Sequence, residues 1–169
     1  MFEVPPPPAV PEVVRTDSSY ISIARRDVPL TLAKGKAAEK ALIRYQLLVR
    51  TDMEATQAPL AGEAVLAELT CAWTITTWLQ REPCFESLTG RLACGETYTT
   101  RLEDRERGSE KSTEEAAACN VARPGVVAAQ TRLGRAVAAT AAQRFDDDLA
   151  RRLTPDLAKA GLTVKPRVK

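Results

Sequence analysis

The chain has no histidine, and this absence narrows its chemistry more than any motif does. Histidine is the commonest general base and the usual zinc ligand, so serine and cysteine hydrolases built around an imidazole are excluded. There is also no charge excess. The 24 basic and 22 acidic side chains leave a formal net charge of +2, too little to gather nucleic acid or an anionic membrane. No run approaches the ~18 consecutive apolar residues of a spanning helix, and the N-terminus has neither a basic n-region nor an apolar h-region. Gly35, Gly62, Gly108 and Gly125 stand alone, so there is no phosphate-cradling loop and no dinucleotide fingerprint. No cofactor is expected.

Four cysteines are present: Cys71, Cys84, Cys94 and Cys119. Twelve, nine and twenty-four residues separate them, with no CxxC pair. An all-cysteine zinc site therefore lacks its usual signature, and no metal is expected. An even count at irregular spacing in a short chain reads as two disulfides and an oxidising compartment, periplasmic or extracellular. Pairing Cys84 with Cys94 staples a hairpin. Cys71 then meets Cys119 across a loop of ~50 residues, stabilising by roughly 4 kcal/mol. The alternative joins Cys71 to Cys94 and Cys84 to Cys119.

The length of 169 residues and a hydrophobic content of 44% suit one domain with a real core. Residues 1–17, with Pro5, Pro6, Pro7, Pro8 and Pro11, favour an extended conformation and read as a proline-rich tether; residues 18–169 read as the domain. Two short apolar alternations, 20–24 and 28–33, separated by Arg25, Arg26 and Asp27, suggest edge strands. Over 41–52 a helical period competes, but Ile43, Tyr45, Leu47 and Val49 alternating with Arg44, Gln46 and Arg50 favour a strand. The clearest period-two signal runs over 65–79, where Leu69, Cys71, Trp73, Ile75 and Leu79 share one face of a long strand. A hairpin over 84–94 follows, with Leu88, Thr89 and Gly90 at its tip and glycine where a positive φ is needed.

Residues 103–115 are densely charged with alternating sign and suggest a solvated hairpin tip. Ser112 or Thr113 can cap a short helix over 116–119. Pro124 sits where a helix can begin, and Ala129, Leu133, Val137, Ala141, Phe145, Leu149 and Leu153 recur every four residues, predicting one long amphipathic helix over 126–153. Thr154 and Pro155 open another helical turn, Gly161 closes it, and residues 162–164 can return as an edge strand.

Asp146, Asp147 and Asp148 are consecutive, so on a helix they point about 100° apart and do not converge on one ion; they read as a solvated face. Asp104, Glu106 and Glu110 lie among arginines. Trp73 belongs to the apolar set. Trp78 shares its face with Thr74, Thr76 and Gln80, and is either covered by another element or a contact anchor.

These readings predict an α+β domain: a mostly antiparallel sheet covered on one face by a long C-terminal amphipathic helix, behind a proline-rich N-terminal extension. In organisation, on the strength of residues 4–11 and the Ala- and Arg-rich final helix, the chain resembles small bacterial envelope accessory proteins, some of them lipoproteins. That resemblance implies a non-catalytic binding or scaffolding role with a protein partner in an envelope complex. It leaves room for a membrane tether upstream of Met1. A virion or secretion-apparatus structural component is the alternative. A secreted enzyme or effector without histidine comes behind both, because nothing places its carboxylates, lysines or Tyr45 together.

Overall fold

A computed structural model describes residues 12–32, 40–58, 68–87 and 89–165. The strands are β1 (Glu12–Leu32), β2 (Lys40–Gln57), β3 (Leu69–Glu86), β4 (Leu92–Cys94), β5 (Tyr98–Ser112) and β6 (Leu162–Val164). They form a single antiparallel sheet in the order β4-β3-β2-β1-β6, with β5 pairing β3 beside β4. Helices α1 (Pro124–Ala138), α2 (Ala141–Asp148) and α3 (Thr154–Lys159) come between β5 and β6. The fold is a mostly antiparallel sheet with helices.

The period-two pattern sets the sheet's sides. Ile43, Tyr45, Leu47 and Val49 of β2 and Leu69, Cys71, Trp73, Ile75 and Leu79 of β3 are buried. They form one core with Val126, Ala129, Leu133 and Val137 of α1 and Ala141 and Phe145 of α2. The positions between them lie on the other side, which no described element covers. Val65 and Ala67, expected on the same strand, and the proline run lie outside the described residues, as do Gly35 and Gly62.

Three expectations are corrected. The alternations over 20–24 and 28–33 are not two edge strands but parts of β1, which runs through Arg25, Arg26 and Asp27 and takes in Glu12 to Asp17 as well. Bulges between Val13 and Arg15 and between Ser22 and Ala24 absorb the breaks in the pattern. The charged stretch is not a hairpin tip. It is β5, an edge strand paired with β3 over most of its length.

The single long helix is broken in two places. Thr140 leaves the helical region with φ −111° and ψ 8°. Its hydroxyl donates to the Val137 carbonyl and accepts from Arg144 Nε, giving the backbone a local alternative to the helical ladder. After α2 the chain widens into a π-type turn at Leu149–Leu153, which ends two residues before Pro155, a residue with no N–H to continue an α-helix. The apolar stripe survives both breaks. Ala129, Leu133, Val137, Ala141, Phe145 and Leu149 are all buried, and Leu153 is half-buried.

Local signals account for the connections. Gly90 has φ 80° and its N–H donates to the Ser87 carbonyl at 2.9 Å, closing the turn into β4; Leu88 lies outside the described residues. Pro124 begins α1. Ser112 Oγ accepts from the Glu114 N–H at 3.1 Å ahead of a 3-10 turn at Ala116–Ala118. Gly161, at φ 75°, leads into β6, which pairs with the end of β1.

Candidate functional site

The cysteines form two disulfides among the described residues. Cys84 and Cys94 face each other in the β3–β4 register, with Cα atoms 4.1 Å apart. Cys71 on β3 joins Cys119, which follows the 3-10 turn, with Cα atoms 5.5 Å apart. Two disulfides indicate an oxidising, non-cytoplasmic compartment. Glu82, Cys84 and Cys94 bring three ligand atoms within 4.8 Å of one another, but two of the three are sulfurs of the disulfide.

On the core side, a polar row crosses the sheet. Arg26, Tyr45 and Arg81 are register partners on β1, β2 and β3. Helix α2 lies over them. Arg81 donates through Nε and Nη2 to the Asp148 carboxylate at 2.5 and 2.6 Å, and both side chains are buried. Arg26 binds Asp146 at 2.7 Å, and the Phe145 ring lies 5.3 Å from that of Tyr45. The aspartate run therefore diverges onto two arginines of different strands. Asp148 is buried, not solvated, because Arg81 meets it with two charge-assisted hydrogen bonds. Tyr45 Oη is buried without a partner at hydrogen-bonding geometry among the described residues. Burial, with the neighbouring Asp148 carboxylate second, pushes its pKa well above the usual tyrosine range.

The charges of β5 separate by side. Asp104, Glu106 and Glu110 turn toward the helices and pair with Arg144, Arg132 and Arg123. Opposite them in alternation, Arg105, Arg107 and Lys111 stand beside Thr76, Thr74 and Thr70 of β3 on the open side, and Arg101 stands beside Trp78. Lys111 reaches Glu68 at 3.1 Å. Arg101, Arg105 and Arg107 are exposed and have no ion-pair partner among the described residues.

Trp78 lies within this open side. Its register neighbours are Leu48 on β2 and Arg101 on β5. The indole is half-buried, and its Nε1 donates to Thr76 Oγ1 at 2.9 Å. It is neither covered by a described element nor fully exposed: neighbouring side chains of the same sheet shield it in part. Trp73, on the core side, packs over Gly108, where a Cβ would overlap its ring. Farther across the open side, Arg50 donates to Tyr20 Oη at 2.9 Å and lies 5.3 Å from its ring centre. Hydrogen bonding to Asp52 holds Arg50 more firmly protonated.

The sequence singled out Trp78 but not the arginines beside it. The signal was the alternation of sign along 104–111, which becomes a division of faces only once those residues are known to form a strand. No helix among the described residues is long and apolar enough to cross a membrane. Fold and site together define a disulfide-stapled, mostly antiparallel sheet with one helix-packed face and one open face. Comparison with protein-family models, characterised proteins and solved structures finds no match.

Proposed function

We propose that this is a non-catalytic accessory protein of the periplasm or cell envelope, which binds or scaffolds a protein partner through the open face of its sheet. The observation that carries the reading is the half-buried Trp78 with Arg101 beside it and the exposed cations Arg105 and Arg107 along the same strand. An indole among exposed guanidinium groups that pair with no described carboxylate suits an interface hot spot, and the cations select an acidic partner surface. The histidine-free composition supports a binding role. So does the commitment of the buried carboxylate of Asp148 to Arg81. The disulfides support an oxidising location.

Two measurements test the reading in cells that make the full chain. Thiol trapping in intact cells should leave all four cysteines unmodified, and four modified thiols would refute the location. A photo-crosslinking residue in place of Glu103, exposed on β5 between Arg101 and Arg105, should capture a discrete envelope protein. Trp78→Ala and Arg105→Glu should each abolish that adduct. Capture that is indifferent to both substitutions would refute the open face as the binding surface.

A further inference from the structure

On its helix side β5 carries a ladder of contacts with arginines. Glu110, Glu106 and Asp104 meet Arg123, Arg132 and Arg144 in turn, so that each rung sets a carboxylate of the strand against a guanidinium of the helical segment. The fourth rung lacks its carboxylate. Arg152 Nη1 donates instead to the Thr100 hydroxyl at 3.3 Å, and that oxygen already accepts from Arg81 Nη2 at 2.8 Å. Arg152 is exposed and has no ion-pair partner among the described residues. With both lone pairs of Thr100 Oγ1 engaged, its O–H remains a donor.

The incomplete rung opens into a cleft of about 520 Å³ between β5 and the helical segment, room for a small organic acid or a single acidic side chain. Five arginines and four carboxylates line it. Arg81 and Arg144 are engaged by Asp148 and Asp104, while Glu103 and Asp147 make no ion pair with Arg152 among the described residues. The lining is therefore one negative charge short. Both walls also depart from regular structure. Residues 102–104 of β5 bulge opposite Thr77, and the π-type turn at Leu149–Leu153 carries Arg151 and Arg152. Bulges and π-type turns are both over-represented beside functional sites.

We infer that this cleft binds one carboxylate group of a ligand, which completes the fourth rung. The Arg152 guanidinium donates to it in the paired geometry that guanidinium and carboxylate share, and the Thr100 hydroxyl donates a further hydrogen bond. The three complete rungs select the chemistry, because the same strand and helical segment meet through a carboxylate at each of them. A free organic acid and a glutamate side chain of a polypeptide present the same group. The inference does not depend on what binds the open face, because Thr100 and Arg152 meet on the helix side of β5.

Nuclear magnetic resonance titration of the full, disulfide-bonded chain with succinate and, separately, with a hexaglutamate peptide reads the site directly. The Thr100 amide and Arg152 Nε–H signals should shift saturably. Saturation by succinate identifies a free acid as the ligand, and saturation by the peptide alone identifies an acidic side chain. Arg152→Gln should weaken the binding at least roughly tenfold, as loss of charge-assisted hydrogen bonds does. Arg151→Gln removes an equal charge from the same turn and should weaken it less than about threefold. Thr100→Glu supplies the missing carboxylate from within the chain, so it should abolish binding and raise the urea midpoint. No saturable shift with either probe overturns the inference, as does equal weakening by Arg151→Gln and Arg152→Gln. Tighter binding of inorganic phosphate than of either probe overturns the choice of a carboxylate.

Discussion

The two faces of the sheet use similar residues in different ways. On the helix side, arginines and carboxylates are drawn into pairs between layers: Arg81 with Asp148, Arg26 with Asp146, and the acids of β5 with arginines of α1 and α2. On the open side the ion pairs run within or between neighbouring strands, as Arg50 with Asp52 and Arg44 with Asp27 do, and Arg101, Arg105 and Arg107 have no ion-pair partner among the described residues. Charge pairs add to the apolar packing that holds the helices to one face, and the other face keeps exposed cations. A charge buried between layers loses its hydration and depends on its partner, whereas an exposed one keeps its water.

The sharpest way to break this comparison is to remove one acid from each face. Asp148→Ala should destabilise by about 3–5 kcal/mol, because Arg81 is left buried and unpaired. Asp52→Ala should cost less than about 1 kcal/mol, since both partners are exposed enough for water to replace the bond. Urea denaturation of the two variants measures both, and equal losses would end the distinction between the faces.

The disulfides extend the same contrast. Replacing Cys71 and Cys119 by alanine opens a loop of 48 residues and should cost roughly 4 kcal/mol. Replacing Cys84 and Cys94 opens a loop of 10 and should cost nearer 3 kcal/mol. Denaturant midpoints under non-reducing conditions rank them, and the reverse order would show that the helical segment does not need its tie to β3.

Gly108→Ala forces the Trp73 ring to move and should cost about 1–3 kcal/mol. Ser109→Ala, one residue along on the open side, should stay within about 0.5 kcal/mol. The pH dependence follows from Tyr45. The folded state holds this phenol protonated more tightly than the unfolded chain does, so its contribution is intact below the unfolded pKa of about 10 and declines as pH rises above it. Stability should therefore fall above about pH 10, and Tyr45→Phe should flatten that decline in denaturation curves recorded against pH. The smallest effect is optical. Acrylamide should quench Trp78 and spare Trp73, so that Trp78→Phe leaves an emission resistant to quencher; equal shielding of both indoles would remove Trp78 as a contact residue.

Much of this architecture is legible in the sequence because it depends on short-range periodicity. The alternations in β2 and β3 define their buried faces, the four-residue stripe marks what α1 and α2 bury, and Pro124, Gly90 and Gly161 mark a start, a turn and an end. The long helix fails at Thr140 and ahead of Pro155, where one hydroxyl and one missing N–H outweigh an unbroken apolar stripe. Arg25, Arg26 and Asp27 divide β1 into two expected strands because charge reads as a loop in a single chain. In the fold Arg26 turns inward to Asp146 and Asp27 outward to Arg44.

By itself the sequence determined that imidazole chemistry is absent, the number of cysteines, and which side of each central strand is apolar, since composition and a period of two need no knowledge of neighbours. The tertiary structure alone decided that Asp148 is buried against Arg81, that the β5 charges divide between the two faces, and that Arg152 meets Thr100 rather than a carboxylate. Each of these depends on residues far apart in the chain, 67 positions in the case of Arg81 and Asp148. Whether a charge is solvated or paired is settled by which strand or helix is brought against it.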